Sequence, residues 1–443
     1  MPTTYRPYEP NQILLLPPSV SDWLPDGHLA HFINDAVDAL ELGAFHTRYQ
    51  GDGRRNMPFD PAMLVKVVLY GFASGVVSSR QVARKLQEDV AFRVLAAENF
   101  PAHRTIREFR QVHREALGGL FVQVVKLAHE AGLLKLGRLG IDGTKLKANA
   151  SKRKAMSYGR MQSEEVRLKA EIAALMKQAE ALDDKEDRQF GSDRTGEDLP
   201  DDLARRETRL ATIQAAKARL EARQREADRA AGRKPGDDEP HSGKRGRAFK
   251  RPLGEPKPDA QENFTDPDSR IMRTGGGFVQ GYNAQAAVDE SLLIVAATLT
   301  NIASDTNELL PVLEQAKANL GQSHEMLLAD AGYASEANFV ALEAAGQAAC
   351  IALGREGKAS PRTIDPVTHP ATARMHACMT SDEGKANYRR RKTLPEPVFG
   401  WIKSILGIVR LSARGLARVQ NEWQLICAAM NLRRMHKMGW NPA

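Results

Sequence analysis

Apolar residues recur along this chain with two different periods, and the places where the period changes divide it. Over residues 20–135 they return every three or four positions, as in Leu64, Val67, Val68 and Phe72, and again through 79–95 and 105–117. That period buries one stripe of a helix, so the stretch predicts an all-helical N-terminal unit. At residues 137–147 (GRLGIDGTKLK) the pattern becomes alternating, which predicts a strand carrying Asp142. Residues 278–289 and 292–300 read as two adjacent strands joined by the Asp289-Glu290-Ser291 turn, a β-hairpin. Beyond them, 307–320 predicts an amphipathic helix, 326–329 a short buried strand ending at Asp330, 335–345 a helix and 348–353 a strand. Strands alternating with helices in this order predict an α/β domain. The segment from Thr393 to the last residues reads as helix, with Arg and Lys on repeated turns.

Between the first strand and the hairpin, residues 151–258 shift to charge, alanine, glycine and proline. Leu168, Ile172, Leu175, Ala179 and Leu182 alternate spacings of four and three, and Leu203, Leu210, Ile213 and Leu220 continue after a polar break. This predicts a helical hairpin inserted into the α/β domain. Its tail, RKPGDDEPHSGKRGRAFKRPLGEPKP, has too little apolar content to pack, and GKRGRAFKR reads equally as a phosphate-binding strip or a solvated linker. In the N-terminal unit, SSRQVARKLQEDVAFRVLA and PAHRTIREFRQVHREAL predict two helices joined by an Asn99-Phe100-Pro101 turn, with Arg104, Arg107, Arg110 and Arg114 near the second. A helix-turn-helix and an ordinary helical hairpin with a solvated basic face fit this equally.

Composition narrows the class. A chain of 443 residues exceeds one typical domain, which points to two or three folded units. With 42% hydrophobic and 27% charged residues it has enough apolar content for real cores, which excludes overall disorder. A net charge of +8 draws the chain to a polyanion, most simply nucleic acid, if the charge is concentrated on one face. Cys350, Cys378 and Cys427 are too few for a disulfide framework and point to a reducing compartment. His369, His376 and Cys378 lack zinc-ligand spacing and read as loop histidines and a free thiol. The start lacks the features of a signal peptide, and no apolar run reaches the roughly 20 residues of a membrane span, so a cytoplasmic, nucleoid-associated location is expected.

Three acids stand out by position: Asp142 in the first strand, Asp330 at the end of a later strand, and Glu396 at a helix start. Each has a local reading. Asp142 before Gly143 suits a turn, Asp330 suits a cap for the next helix, and Glu396, three residues after Thr393, suits a capping box. Together they suit one pocket, because strand ends and a neighbouring helix terminus converge in an open α/β sheet. Phosphodiester hydrolysis and attack by a 3′-hydroxyl need an activated oxygen nucleophile and a stabilised leaving oxygen. Two Mg²⁺ ions about 3.5–4 Å apart on hard carboxylate ligands provide both, with Mn²⁺ able to substitute. Metal-free, such acids repel one another, so the site should be loose or partly protonated.

The strings GIDGTKLKANAS, FVQGYNAQAAVDE, LLADAGYAS and YRRRKTLPEPVFGWIK resemble the DDE transposases of bacterial insertion sequences. The strings YRPYEPNQILLLPPSV and RRNMPFDPAMLVKVVLYGFASGVVSSRQVARKL resemble the helical N-terminal domain of the same group. The resemblance implies an α/β ribonuclease H-like catalytic domain at 136–150 and 262–443, a mainly α DNA-end-binding domain at 1–135, and an inserted helical hairpin with a basic linker at 151–261. It also implies a Tyr, Arg, Glu, Lys signature, matched by Tyr388, Arg391, Glu396 and Lys403. The gap from Arg391 to Glu396 is one residue longer than the family's usual spacing, so Lys392 is an alternative to Arg391. Lys403 follows Glu396 by seven positions, with six residues between, which on a regular helix puts both on one face, with Lys403 against a DNA phosphate. Tyr388 and Arg391 would grip the backbone or a displaced base near the scissile bond, while Trp401 and Trp423 read as core. The implied activity is metal-dependent cleavage at insertion-sequence ends and transfer of the 3′-hydroxyl into target DNA. The implied partners are double-stranded terminal inverted repeats, target DNA and a second copy of the chain or more. A ribonuclease H-like nuclease without strand transfer and an inactive DNA-binding derivative are the alternatives.

Overall fold

The computed structural model describes residues 19–49, 57–190, 201–234, 251–354 and 364–442. Most of the GKRGRAFKR strip, the N-terminal string that carried part of the resemblance, and residues 191–200 lie outside them.

The N-terminal third is helical among the described residues: α1 (Leu29–Asp38), α2 (Gly43–His46), α3 (Pro61–Ala73), α4 (Ser79–Glu88), α5 (Val90–Leu95), α6 (His103–Val112) and α7 (Arg114–Glu130). Local chemistry sets these boundaries. Asp60 starts α3 by accepting the free N–H groups of Ala62 and Met63 at 2.6 and 3.2 Å, and Pro61 occupies the first turn, where no N–H is needed. The single helix expected over 79–95 is broken by Asp89, which ends α4 and accepts from the N–H of Ala91 at 3.1 Å to start α5. A short acidic side chain competes with the helical ladder for backbone N–H groups, and the helix expected over 105–117 is likewise divided at His113 between α6 and α7, so the two expected stretches hold parts of four helices.

The α/β part follows with β1 (Arg138–Lys147), β2 (Ala155–Ser157), α8 (Tyr158–Phe190), α9 (Asp201–Ala230), β3 (Gln261–Asn263), β4 (Arg270–Thr274), β5 (Gly277–Asp289), β6 (Ile294–Thr300), α10 (Leu309–Leu320), β7 (Met326–Ala329), α11 (Glu336–Ala344), β8 (Ala349–Ile351), α12 (Pro370–Thr380), α13 (Asp382–Arg389), α14 (Pro395–Gly400) and α15 (Leu416–Lys437). β1 is central. It pairs antiparallel with β5 on one side and parallel with β7 on the other, and β8 continues the parallel side. The far edge of β5 is shared, β4 pairing with its first residues and β6 with its later ones. The expected β5–β6 hairpin is present; β4 and the small β2–β3 ribbon are additional.

One apolar core joins the helices to the sheet. α3 and α7 pack on α15, α15 lies over β6, and most of the buried apolar residues form one cluster running from Ala30 to Met435. Trp423 is fully buried and donates its indole N–H to the carbonyl of Gln285 at 3.0 Å. Trp401 is half-buried, with Arg433 and Lys437 over its ring at 5.2 and 4.5 Å. The inserted hairpin has a separate small core at its base, including Met161, Leu168, Ile213 and Leu220. Farther out Ile172 and Leu175 are only half-buried, and the Arg206–Glu171 and Arg209–Glu164 ion pairs, 3.0 and 3.4 Å, tie α8 to α9. No described helix is long and apolar enough to cross a membrane.

Where β6 ends its pairing with β5, α15 covers the sheet edge through one residue. Buried Asn431 accepts from the N–H of Ile294 at 2.8 Å and donates to its carbonyl at 2.7 Å. Replacing it by Ala leaves both backbone groups buried and unpaired, so Asn431→Ala should lose roughly 3 kcal/mol of stability. Chemical denaturation measures this, and a loss under 1 kcal/mol would mean that water replaces the amide.

Candidate functional site

The sheet brings Asp142 and Asp330 side by side. In the parallel pairing of β1 with β7, Ile141 lies opposite Ala329, so the next residue on each strand is an aspartate. Side chains alternate between the two faces of a strand, so Gly140 and Asp142 share one face of β1, while Gly143 and Lys145 belong to the other.

On the Asp142 face, α14 presses against β1. A Cβ on Gly140 would lie 2.8 Å from Cδ of Pro395 and 2.9 Å from Cβ of Leu394, so only glycine lets the start of α14 sit this close. Glu396 is in the first turn of α14 and points toward the same region as Asp142. One guanidinium joins them: Arg391 donates from Nη1 to Asp142 and from Nη2 to Glu396, each at 3.2 Å. The Arg391 side chain is 9% exposed and lies with its guanidinium carbon 5.9 Å from the centre of the Tyr388 ring. The structure therefore puts Arg391 between the acids, while Lys392 is exposed.

Electrostatics mark Asp142. Its side chain is 17% exposed, and burial first, then the negative charge of Asp330, push its pKa up to about 6, against the pull of the Gly143 N–H and of Arg391. Burial opposes the Arg391 charge, but Asp142, Tyr388, Asp330 and Glu396 together hold its pKa above the ordinary arginine value. Burial raises the Tyr333 phenol well above its usual range, and Asp305 and Asp142 raise it further.

The local alternatives for the acids separate. Asp142 lies within a strand, so it is not a turn residue, although its Oδ1 accepts the N–H of Gly143 at 2.8 Å. Asp330 does cap the short turn after β7, accepting the N–H of Gly332 at 2.8 Å. Glu396 is not part of a capping box, because the Thr393 hydroxyl donates to the Arg390 carbonyl and α14 starts without a side-chain cap.

Sequence reasoning missed the other face. Oδ1 of Asp305 receives Asn283, Gln285 and Lys145 at 2.6, 2.7 and 3.1 Å, and Tyr333 donates to Gln285. A Cβ on Gly143 would come within 2.4 Å of Gln285 and 2.8 Å of Asp305, and one on Gly332 within 2.9 Å of Asp330. This cluster braces the backbone beside both aspartates. Its signal in the sequence was two amides, Asn283 and Gln285, alternating in an otherwise apolar strand.

The expected common face of Glu396 and Lys403 is not kept. Residues 401–405 form a π turn, which advances by less rotation per residue than an α-helix. Lys403 instead donates to the carbonyl of Lys145 at 3.0 Å, and burial, with Lys145 nearby, lowers its pKa. Arg104 and Arg107 both lie exposed on α6. Cys378 meets Cys350 at 3.7 Å between sulfurs, both unpaired as disulfides. Among the described residues no group of three or more His, Cys, Asp or Glu side chains is gathered closely enough to hold a metal ion. In this arrangement Arg391 supplies the positive charge between Asp142 and Glu396.

Two family models match the chain. One, described as the transposase DDE domain, covers residues 256–432, which include Asp330, Tyr388, Arg391, Glu396 and Lys403 but not Asp142. The other, described as a transposase domain (DUF772), covers residues 18–112 of the helical part. No curated protein and no solved structure matches it.

Proposed function

The chain belongs to the DDE transposases, and from that membership and the arrangement of its acids we propose that it cleaves DNA at insertion-sequence ends and joins the freed 3′-hydroxyl to target DNA, with Asp142, Asp330 and Glu396 as the catalytic, metal-holding residues. The observation that carries this reading is the state of Asp142: buried at the centre of the sheet, repelled by Asp330, and sharing one guanidinium with Glu396. Strained acid clusters of this kind mark functional sites more often than structural ones.

With Arg391 between them the three acids are not gathered closely enough to hold an ion, but their chemistry suits a hard divalent cation. They offer carboxylate oxygens only, on elements that pack against each other, with an excess of negative charge that burial leaves poorly compensated. Mg²⁺ held by the three acids, with Mn²⁺ able to substitute, would polarise the phosphodiester and lower the pKa of the attacking oxygen. The chain's own residues do the rest. Asp142 is held within β1 beside Asp330, which follows the end of the neighbouring β7, and Glu396 is carried in on α14. Arg391 keeps the acids together without a cation and, once released, is placed to meet a phosphate oxygen, with Tyr388 stacked against it. Asp305 and Gln285, bonded to each other, pack so closely on Gly143 that no side chain fits there. Lys403, anchored on the carbonyl of Lys145, adds a cation near the strand that carries Asp142.

In this reading residues 136–150 and 262–443 form a ribonuclease H-like catalytic domain, with which the mixed sheet centred on β1 is compatible. Residues 1–135, Arg104 and Arg107 among them, form the DNA-end-binding domain, 151–261 form the insertion, and two or more copies pair the transposon ends in the cytoplasm.

With linear duplexes carrying the terminal repeats, the wild-type protein should nick the ends in Mg²⁺ and join precleaved ends to a target plasmid. Nicking without joining would reduce the assignment to a nuclease, and the absence of both, with DNA binding retained, would leave a binding protein only.

A further inference from the structure

A groove of about 1130 Å³ lies between the N-terminal helices and the segment that precedes α15. Its walls are the first turn of α4, one side of α6 and the start of α7, and opposite them residues 407–414 with the start of α15. Into it face Arg80, Arg107, Arg114, Arg410, Arg414 and Arg418. None of these six forms an ion pair with a described acid, and all but Arg114 are exposed. Arg114 and Arg418 are close enough to repel each other. The one acid in the lining among the described residues, Glu422, is taken up by the N–H groups of Ser412 and Ala413 and the Ser412 hydroxyl, at 2.6–3.0 Å. Six guanidinium groups with no acid partner among the described residues, one of them, Arg414, donating to the Asn149 carbonyl at 2.9 Å, give this concave surface a positive potential that favours an anion. The first turns of α4 and α6, ten residues each, border the same groove, and neither helix has a side-chain cap, so their free N–H groups add positive potential.

The groove is joined to the acids by a rigid element. Lys147, the last residue of β1, donates its N–H to Val409 at 3.0 Å and accepts from Leu411 at 2.8 Å. Five residues along the same strand lies Asp142, a distance of roughly 17 Å at the usual rise of a strand. At about 3.4 Å per base pair that is roughly five base pairs, half a helical turn. Among the described residues the lining contains no Phe, Tyr or Trp on which unpaired bases could stack.

We propose that this groove binds the phosphate backbone of duplex DNA about half a turn from the bond at the acids, joining the helical layer and the catalytic sheet into one DNA track. This rests on the transposase reading for the identity of the DNA, but its test does not depend on cleavage.

The test is fluorescence anisotropy of a labelled 30-base-pair duplex with the full chain in EDTA, titrated over a series of KCl concentrations. In the variant Arg80→Gln/Arg114→Gln/Arg410→Gln/Arg418→Gln, the slope of log K against log salt should fall by about 3.6, since each lost phosphate contact removes about 0.9. Affinity near physiological salt should fall on the order of 100-fold. Circular dichroism and melting check that the variant folds. If it does not, the pair Arg80→Gln/Arg418→Gln should still flatten the slope by about two. An unchanged slope in a folded variant overturns the groove as a DNA site while leaving the reading of the acids intact. Failure of the wild type to cleave in Mg²⁺, with the slope change present, does the reverse.

Discussion

Replacing Asp142 with asparagine is expected to abolish DNA cleavage and, at the same time, to stabilise the metal-free protein above pH 6. Both effects come from the same carboxylate. Burial and Asp330 lift its pKa from 3.8 to about 6, so the folded state holds a proton that the unfolded chain has already released. A raised acid pKa costs stability: the penalty is absent below pH 4, where Asp142 is protonated in both states, and grows as pH rises toward 6, above which it is complete. Two pKa units correspond to about 3 kcal/mol, an upper figure since some of the strain relaxes. Asparagine has the same shape and no charge. The melting temperature of Asp142→Asn should therefore match the wild type near pH 4 and exceed it at pH 7.5, in EDTA. Mg²⁺ should raise the melting temperature of the wild type and narrow the gap. Cleavage should fall on the order of 1,000-fold or more, because several kcal/mol of charge stabilisation at the phosphoryl oxygens depend on this ligand. A variant that is less stable than wild type at pH 7.5 would show that Asp142 is a satisfied structural aspartate.

Gly140→Ala is expected to cost cleavage about 100-fold while leaving DNA binding in EDTA unchanged, since displacing a reacting constellation by about 1 Å has that order of effect. No catalytic atom is altered. The added Cβ would stand 2.8 Å from Pro395 and 2.9 Å from Leu394, both in or beside the backbone that carries Glu396. A strand in the centre of a sheet, held by β5 and β7, has little freedom to retreat, so α14 must move. Overpacking of this kind also destabilises by about 1–3 kcal/mol. Single-turnover cleavage with saturating DNA distinguishes a displaced Glu396 from weakened binding: the rate should fall with the apparent Kd for DNA unchanged. Wild-type rates would mean that α14 tolerates the shift and that its distance from β1 is not set by Gly140.

Periodicity made the elements around the acids legible. β1, β5, β6, β7 and α10 appear where alternation or helical spacing put them, because each buries one face against a neighbour and so must carry that face in its residues. Short elements without a continuous apolar run, unlike β7, were not. β4 and the β2–β3 ribbon have three to five residues, too few to show a period. The break of the 79–95 helix at Asp89 depends on one cap, a single hydrogen bond that apolar spacing does not register.

The acids themselves were legible in sequence as positions, at a strand, a strand end and a helix start, but their environment was not. That Arg391 rather than Lys392 bridges Asp142 and Glu396 follows from the turn at residues 391–393, which buries the first side chain and exposes the second. Asp305 lies far from the three acids in sequence, in a loop with no motif of its own. It is drawn in by Asn283, Gln285 and Lys145, whose common face exists only once β1 and β5 pair in register. The spacing of Glu396 and Lys403 assumed an unbroken helix, and the π turn at 401–405 carries no residue that announces it.

The account turns on whether Asp142, Asp330 and Glu396 jointly take up a divalent ion in place of the Arg391 charge. Titration of Mn²⁺ into the metal-free protein, followed by electron paramagnetic resonance of the free ion, measures this without DNA or catalysis. The wild type should take up Mn²⁺, competed by Mg²⁺, and Asp142→Asn, Asp330→Asn and Glu396→Gln should each weaken uptake by tenfold or more, the loss of about 1.4 kcal/mol. Equal uptake by the wild type and all three variants would place the ion elsewhere and contradict the catalytic assignment.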